Sequence, residues 1–107
     1  MELTRFEQDE LQPLEGGANA FYIPVRSGNR TAAMMIFLDK RGDTGKREIP
    51  QETMLTVIEG EATVRAGGDV ADVKPGDVLI IPAQRQHQIW TVNSQLKAIL
   101  QSIYKSS

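Results

Sequence analysis

Cysteine is absent from this 107-residue chain, and histidine occurs once, as His87. Without cysteine there is no disulfide scaffold, no thiolate metal site and no thiol nucleophile. Any chemistry that needs an imidazole falls to His87. No charge sign dominates either: 12 basic and 14 acidic residues, mixed along the chain, give a net charge of −2. A nucleic-acid surface calls for a basic stripe with interleaved aromatics, and the sequence has none. Long apolar runs are missing too. Ala32 to Leu38 and Val78 to Pro82 are among the longest, far short of the roughly 20 residues of a membrane-spanning helix. The N-terminal stretch MELTRFEQDELQPLEGG carries acids early and no apolar run, so it does not read as a signal peptide. The expectation is a cytoplasmic protein with no nucleic-acid and no membrane partner.

What is present suits a folded domain. Hydrophobic residues make up 40% and charged residues 24%, the balance of a globular chain. The length supports one domain around one core. We read it as residues 1–107, with an N-terminal arm at 1–20 and a β-barrel core at 21–104.

The pattern along the chain is all-β. Phe21 to Arg26 is short and extended, and Pro24 marks it as an edge strand. A turn follows at 27–29. Thr31 to Leu38 has strand length, although its alanines and methionines also suit a helix. Residues 41–45 (RGDTG) read as a loop. Thr53 to Ile58, Ala62 to Arg65, Val70 to Val73, Val78 to Ile81, Gln86 to Val92 and Leu96 to Tyr104 read as strands at regular spacing, the signature of a sandwich or barrel. Gly67-Gly68 suits a tight hairpin, and Lys74-Pro75-Gly76-Asp77 a type II turn. Only residues 3–12 suit a helix, and only a short one.

Two stretches carry a family resemblance. Gly76, Pro82 and His87 fall in register with the second cupin motif: glycine, five residues, proline, any residue, glycine, two residues, histidine, three residues, asparagine. Gln84 stands at the second glycine and Thr91 at the asparagine. Gly60, inside VIEGEATV, matches the glycine that ends the first motif, and Glu61 to Pro75 separate the two. The chain thus resembles a small single-domain cupin over residues 31–100, which implies a jelly-roll barrel, the double-stranded β-helix.

The departures bear on function. Counting back from Gly60, Thr53 stands where cupins carry the metal-binding glutamate. Arg47 and Ile49 stand at the two histidines or, with the one-residue variation of that motif, Lys46 and Glu48. Metal-binding cupins hold iron, manganese or zinc with three histidines and a carboxylate. Here only His87 remains, and Arg47 would repel a cation. Glu52 is one residue off, and alternation points it away from the barrel if Thr53 points in. The resemblance therefore implies a metal-free cupin with no cofactor.

Three residues are candidates for a ligand site: Arg47, Thr53 and His87. A guanidinium at Arg47 suits a carboxylate or phosphate, or it is a solvated loop charge beside Lys46. His87 is either a histidine hydrogen-bonded inside the barrel or a catalytic acid/base, with Tyr22 and Tyr104 as candidate partners. Met34, Met35, Ile36, Phe37, Leu55, Val57, Leu79, Ile81, Ile89 and Leu100 supply core and walls, alternate members facing inward. Trp90, three residues beyond His87, falls on the opposite strand face and suits the interface of a homodimer. The leading expectation is a binder of a small anionic or sugar-like metabolite. Two alternatives stand beside it. One is an enzyme: a metal-independent isomerase, epimerase or lyase using His87, or an oxygenase with an atypical ligand set. The other is a structural or regulatory homodimer.

Overall fold

The computed structural model describes residues 1, 3–25 and 32–103. The turn read at 27–29, Arg26, Thr31 and Tyr104 lie outside the described residues. Among the described residues, ten strands follow a 3-10 turn at Gln8–Glu10: β1 (Gln12–Pro13), β2 (Ala18–Val25), β3 (Ala32–Asp43), β4 (Arg47–Glu48), β5 (Glu52–Glu59), β6 (Ala62–Ala66), β7 (Asp69–Val73), β8 (Val78–Ile81), β9 (Gln86–Trp90) and β10 (Leu96–Ile103). They form one sheet in the order β7-β6-β9-β3-β10-β5-β8, with β2 on β3, β1 on β2 and β4 on β9. The sheet curls into a nearly closed barrel, the all-β architecture expected from the strand spacing and the jelly roll implied by the resemblance. No helix among the described residues is long and apolar enough to cross a membrane.

Alternation builds the core. Thr53, Leu55 and Val57 of β5 are buried while their neighbours on the strand are not. Leu55 lies opposite Leu100 on one side and Leu79 on the other. Ile36, Leu38, Val64, Ile81, Ile89 and Leu96 complete the interior. On β3 the two faces separate the residues read together from sequence. Met34 and Ile36 belong with the core, whereas Phe37 is buried outside it. There Phe6 of the N-terminal arm and Phe21 of β2 cover it, with ring centroids 5.8 and 6.3 Å away. The Lys97 ammonium sits 4.3 Å above the Phe6 ring. The arm is thus partly a lid on the outer face of the barrel.

One boundary corrects the sequence reading. Residues 41–45 are not wholly loop, because β3 runs on through Asp43. Arg41 takes a left-handed φ of 63°, which turns the strand without ending its pairing. Beyond the turn Asp43 lies opposite Trp90 of β9. One long strand therefore belongs to both halves of the sheet.

The turns follow their chemistry. Gly76, at φ 91°, closes the Lys74–Asp77 turn, where the Asp77 amide donates to the Lys74 carbonyl at 3.0 Å, as Pro-Gly at its centre requires. Gly60 has φ 83°, and a Cβ there would collide with the Gln95 carbonyl oxygen. Only glycine lets the β5–β6 turn pass this close to the β9–β10 connection.

Candidate functional site

A cavity of about 270 Å³ lies among Leu14, Met34, Thr44, Arg47, Glu48, Ile49, His87, Ile89 and Leu100. Its cation and its imidazole are cross-strand neighbours: Arg47 of β4 is the register partner of His87 on β9. The pairing puts both side chains on one face of the sheet. His87 is buried, at 2% exposure, with Ala66 of β6 as its partner on the other side.

The Arg47 guanidinium is held from behind. Its Nε donates to the Thr44 carbonyl at 3.1 Å, and Nη2 donates to the Glu15 carbonyl in the β1–β2 connection. A guanidinium has five N–H donors, so these bonds leave others free to face a ligand. Among the described residues no carboxylate forms an ion pair with Arg47; the ion pair found among them is Lys97–Glu59 at 3.6 Å. Burial lowers the pKa of His87 from the usual imidazole value of 6.5, the Arg47 charge lowers it further, and a hydrogen bond with the backbone of Arg85 acts the other way. Near neutral pH the site therefore combines a fixed cation with a neutral imidazole.

Thr44 is a wall rather than a reactive group. Its hydroxyl donates to the Gly45 carbonyl at 3.0 Å and accepts the Ile89 amide at 3.0 Å. Asp43 braces the same connection, accepting from the Gly45 amide at 2.7 Å and from Gln88 Nε2 at 2.8 Å. Glu48 is exposed and sits at the rim.

Of the sequence candidates, the fold brings Arg47 and His87 together. Thr53 is buried, but it does not line this cavity, and its hydroxyl donates to the Gln51 carbonyl at 3.3 Å. Tyr22 packs against the core but does not line this cavity, and its hydroxyl donates to Gln12 Oε1 at 3.2 Å. Ile49 and Glu48 join Arg47 on the lining, while Lys46 is exposed. Leu14 and Thr44 were not legible as site residues. Leu14 lies in the arm, far from β9 in sequence, and Thr44 sits in a stretch whose composition says only turn.

A divalent cation does not fit this donor set. The positions of the first motif hold a guanidinium, an alkyl chain and a hydroxyl tied to its own backbone. No group of three His, Asp or Glu side chains converges among the described residues, and one imidazole beside a fixed positive charge is a poor metal site.

A second, wider cleft of about 480 Å³ lies outside the barrel, near Thr63, Asp72, Trp90 and Asn93. Asp72, Thr63 and Trp90 are register partners across β7, β6 and β9. Trp90 is thus on the strand face opposite His87, half-buried.

Fold and cavity together define a small β-barrel protein with a ligand-sized, mostly apolar pocket. A family model described as "Cupin domain" matches residues 35–104, and the chain belongs to the cupin family. Solved structures agree on the fold. An RmlC-like cupin from Shewanella frigidimarina is 18% identical, with 99% of this chain and 94% of that one aligned at a TM-score of 0.79. KdgF from Halomonas sp. is 19% identical over 95% and 96% of the two chains, at 0.76. The polyketide cyclase RemF from Streptomyces resistomycificus is 15% identical over 94% and 79%, at 0.77. At these identities the likeness is one of fold. No curated protein matches the chain.

Proposed function

We propose that this cupin binds a small organic anion in its barrel, with Arg47 as the charged anchor and His87 as a second hydrogen-bonding group. The observation that carries this is the register pairing of Arg47 with His87 on the lining of one cavity. Charge, directed donors and apolar walls then meet in a volume the size of a metabolite, the usual make-up of a small-molecule site. The Arg47 side chain is oriented before any ligand arrives, so little of its freedom remains to be lost on binding.

Arg47→Met tests this by keeping the stem and removing the charge. A hydrogen bond to a charged group contributes about 1.5–3 kcal/mol, so carboxylate binding should weaken by roughly tenfold to a hundredfold. Titration calorimetry gives the ratio, and unchanged affinity would sink the reading.

A second reading, a metal-independent isomerase, epimerase or lyase, is favoured by one observation. Burial and Arg47 keep His87 neutral, which is the protonation state of a general base. Incubation of a bound carboxylate in D2O separates the two readings. Exchange of the proton beside the carboxylate, lost in His87→Gln, supports catalysis; an unchanged ligand supports binding alone.

We also propose a homodimer, formed through the outer face of β5 and β8 rather than through Trp90. Ile58, Val78 and Ile80 are exposed there, and Met54 lies opposite Ile80 and Thr56 opposite Val78. These outward side chains carry no charge, and Glu52 of the same face stands at the start of β5, so a second copy can meet the centre of the face without a repelling pair.

A further inference from the structure

We propose that the anion is a monocarboxylate with one short apolar chain, a ligand class that rests on the anion reading above and narrows it. The cavity lining has two chemically different parts. Arg47 and His87, register partners across β4 and β9, make the polar part. Met34 and Leu100, register partners across β3 and β10, make an apolar part together with Leu14, Ile49 and Ile89.

The polar end has few free groups. The Thr44 hydroxyl is spent on Gly45 and Ile89, and two Arg47 donors are spent on backbone carbonyls. What remains is one face of a guanidinium, a match for the two oxygens of a single carboxylate, and one imidazole nitrogen, which donates to that carboxylate when the bound negative charge protonates the ring. A sugar ring would set hydroxyls against alkyl walls, each losing water without a partner. A second negative charge would meet those walls or Glu48 at the rim. The volume equals that of about nine waters at ~30 Å³ each, which suits an acid of roughly six to ten non-hydrogen atoms.

Titrations at pH 7 with butanoate, hexanoate, hexan-1-ol, succinate and glucuronate test the assignment. Each buried methylene should tighten binding about fourfold, so hexanoate should bind roughly sixteenfold more tightly than butanoate. Hexan-1-ol, succinate and glucuronate should each bind more weakly than hexanoate by at least about tenfold. In the unmutated protein, nuclear Overhauser contacts from the terminal methyl of hexanoate should reach the Met34 and Leu100 methyls.

If succinate or glucuronate binds as tightly as hexanoate, and Arg47→Met abolishes that binding, the ligand class is wrong and the anion site stands. If no carboxylate binds, or Arg47→Met leaves binding unchanged, the anion site itself is wrong and the class falls with it. Equal affinities for butanoate and hexanoate overturn the apolar-chain assignment alone.

Discussion

At the scale of single residues, His87 is poised by burial and by one neighbour. The folded protein disfavours its charged form, first through burial and then through Arg47. The sign follows from linkage. The folded pKa lies below the unfolded value of 6.5, so the unfolded chain takes up the proton first as pH falls. Stability is complete above pH 6.5 and declines as pH drops through 6.5 toward the folded pKa. Urea midpoints between about pH 7.5 and 5.5 should fall in the wild type and stay nearly flat in His87→Gln. A wild-type midpoint that rises over this window would contradict the environment described for His87. A bound carboxylate offsets the Arg47 charge and favours the imidazolium, so ligand protection should grow across the same interval.

At the scale of elements, the connection from β8 to β9 keeps a conformation its sequence no longer favours. Gln84 stands where the second cupin motif has glycine, and its φ is 58°. Its amide donates to the Ile49 carbonyl at 2.9 Å, tying this turn to the stretch beside β4 that forms the site. A non-glycine residue in the left-handed region costs roughly 1–2 kcal/mol, and glycine gives back about 0.4–1 kcal/mol through its freer unfolded chain. Gln84→Gly should therefore stabilise the fold by about 0.5–1 kcal/mol, read from the urea midpoint; a lower midpoint would show that the Gln84 side chain contributes more than its backbone costs.

Thr91, at the asparagine position of the motif, is buried. Its hydroxyl lies 2.9 Å from both the Glu61 and Ser94 carbonyls, pinning the β9–β10 connection to the turn after Gly60. Strands β5 to β10 were legible because β-branched runs end at glycine and proline turns. β4 was not, since a strand of two residues carries no period to read. Its pairing with β9 is a long-range fact, and it is what brings Arg47 to His87.

At the scale of the whole molecule, the two layers have different outer surfaces. The Trp90 side is polar, with Thr63 and Asp72 in register beside the indole. The β5–β8 side is apolar and uncharged at Met54, Thr56, Ile58, Val78 and Ile80. Sequence alternation put Trp90 on an outer face, yet it could not say which face would expose the larger apolar area. Sedimentation velocity should give a dimer, and Ile80→Lys a monomer whose circular dichroism and unfolding remain cooperative. A wild-type monomer at tens of micromolar would remove the proposed interface.

The barrel and most of its interior were legible from the residues alone. Period-two burial and turn residues are local properties, and each strand declares its inward face before any partner is known. Residue identity at the motif positions also shows that three of the family's four ligand positions hold other residue types, with His87 the fourth. Which polar residues share a cavity followed from long-range pairing instead. Arg47 and His87 are 40 positions apart, and their meeting depends on β3 turning at Arg41 and on β4 pairing with β9. Thr53 was equally plausible by motif and is buried on the same face of β5 as Leu55 and Val57, yet it does not line the cavity.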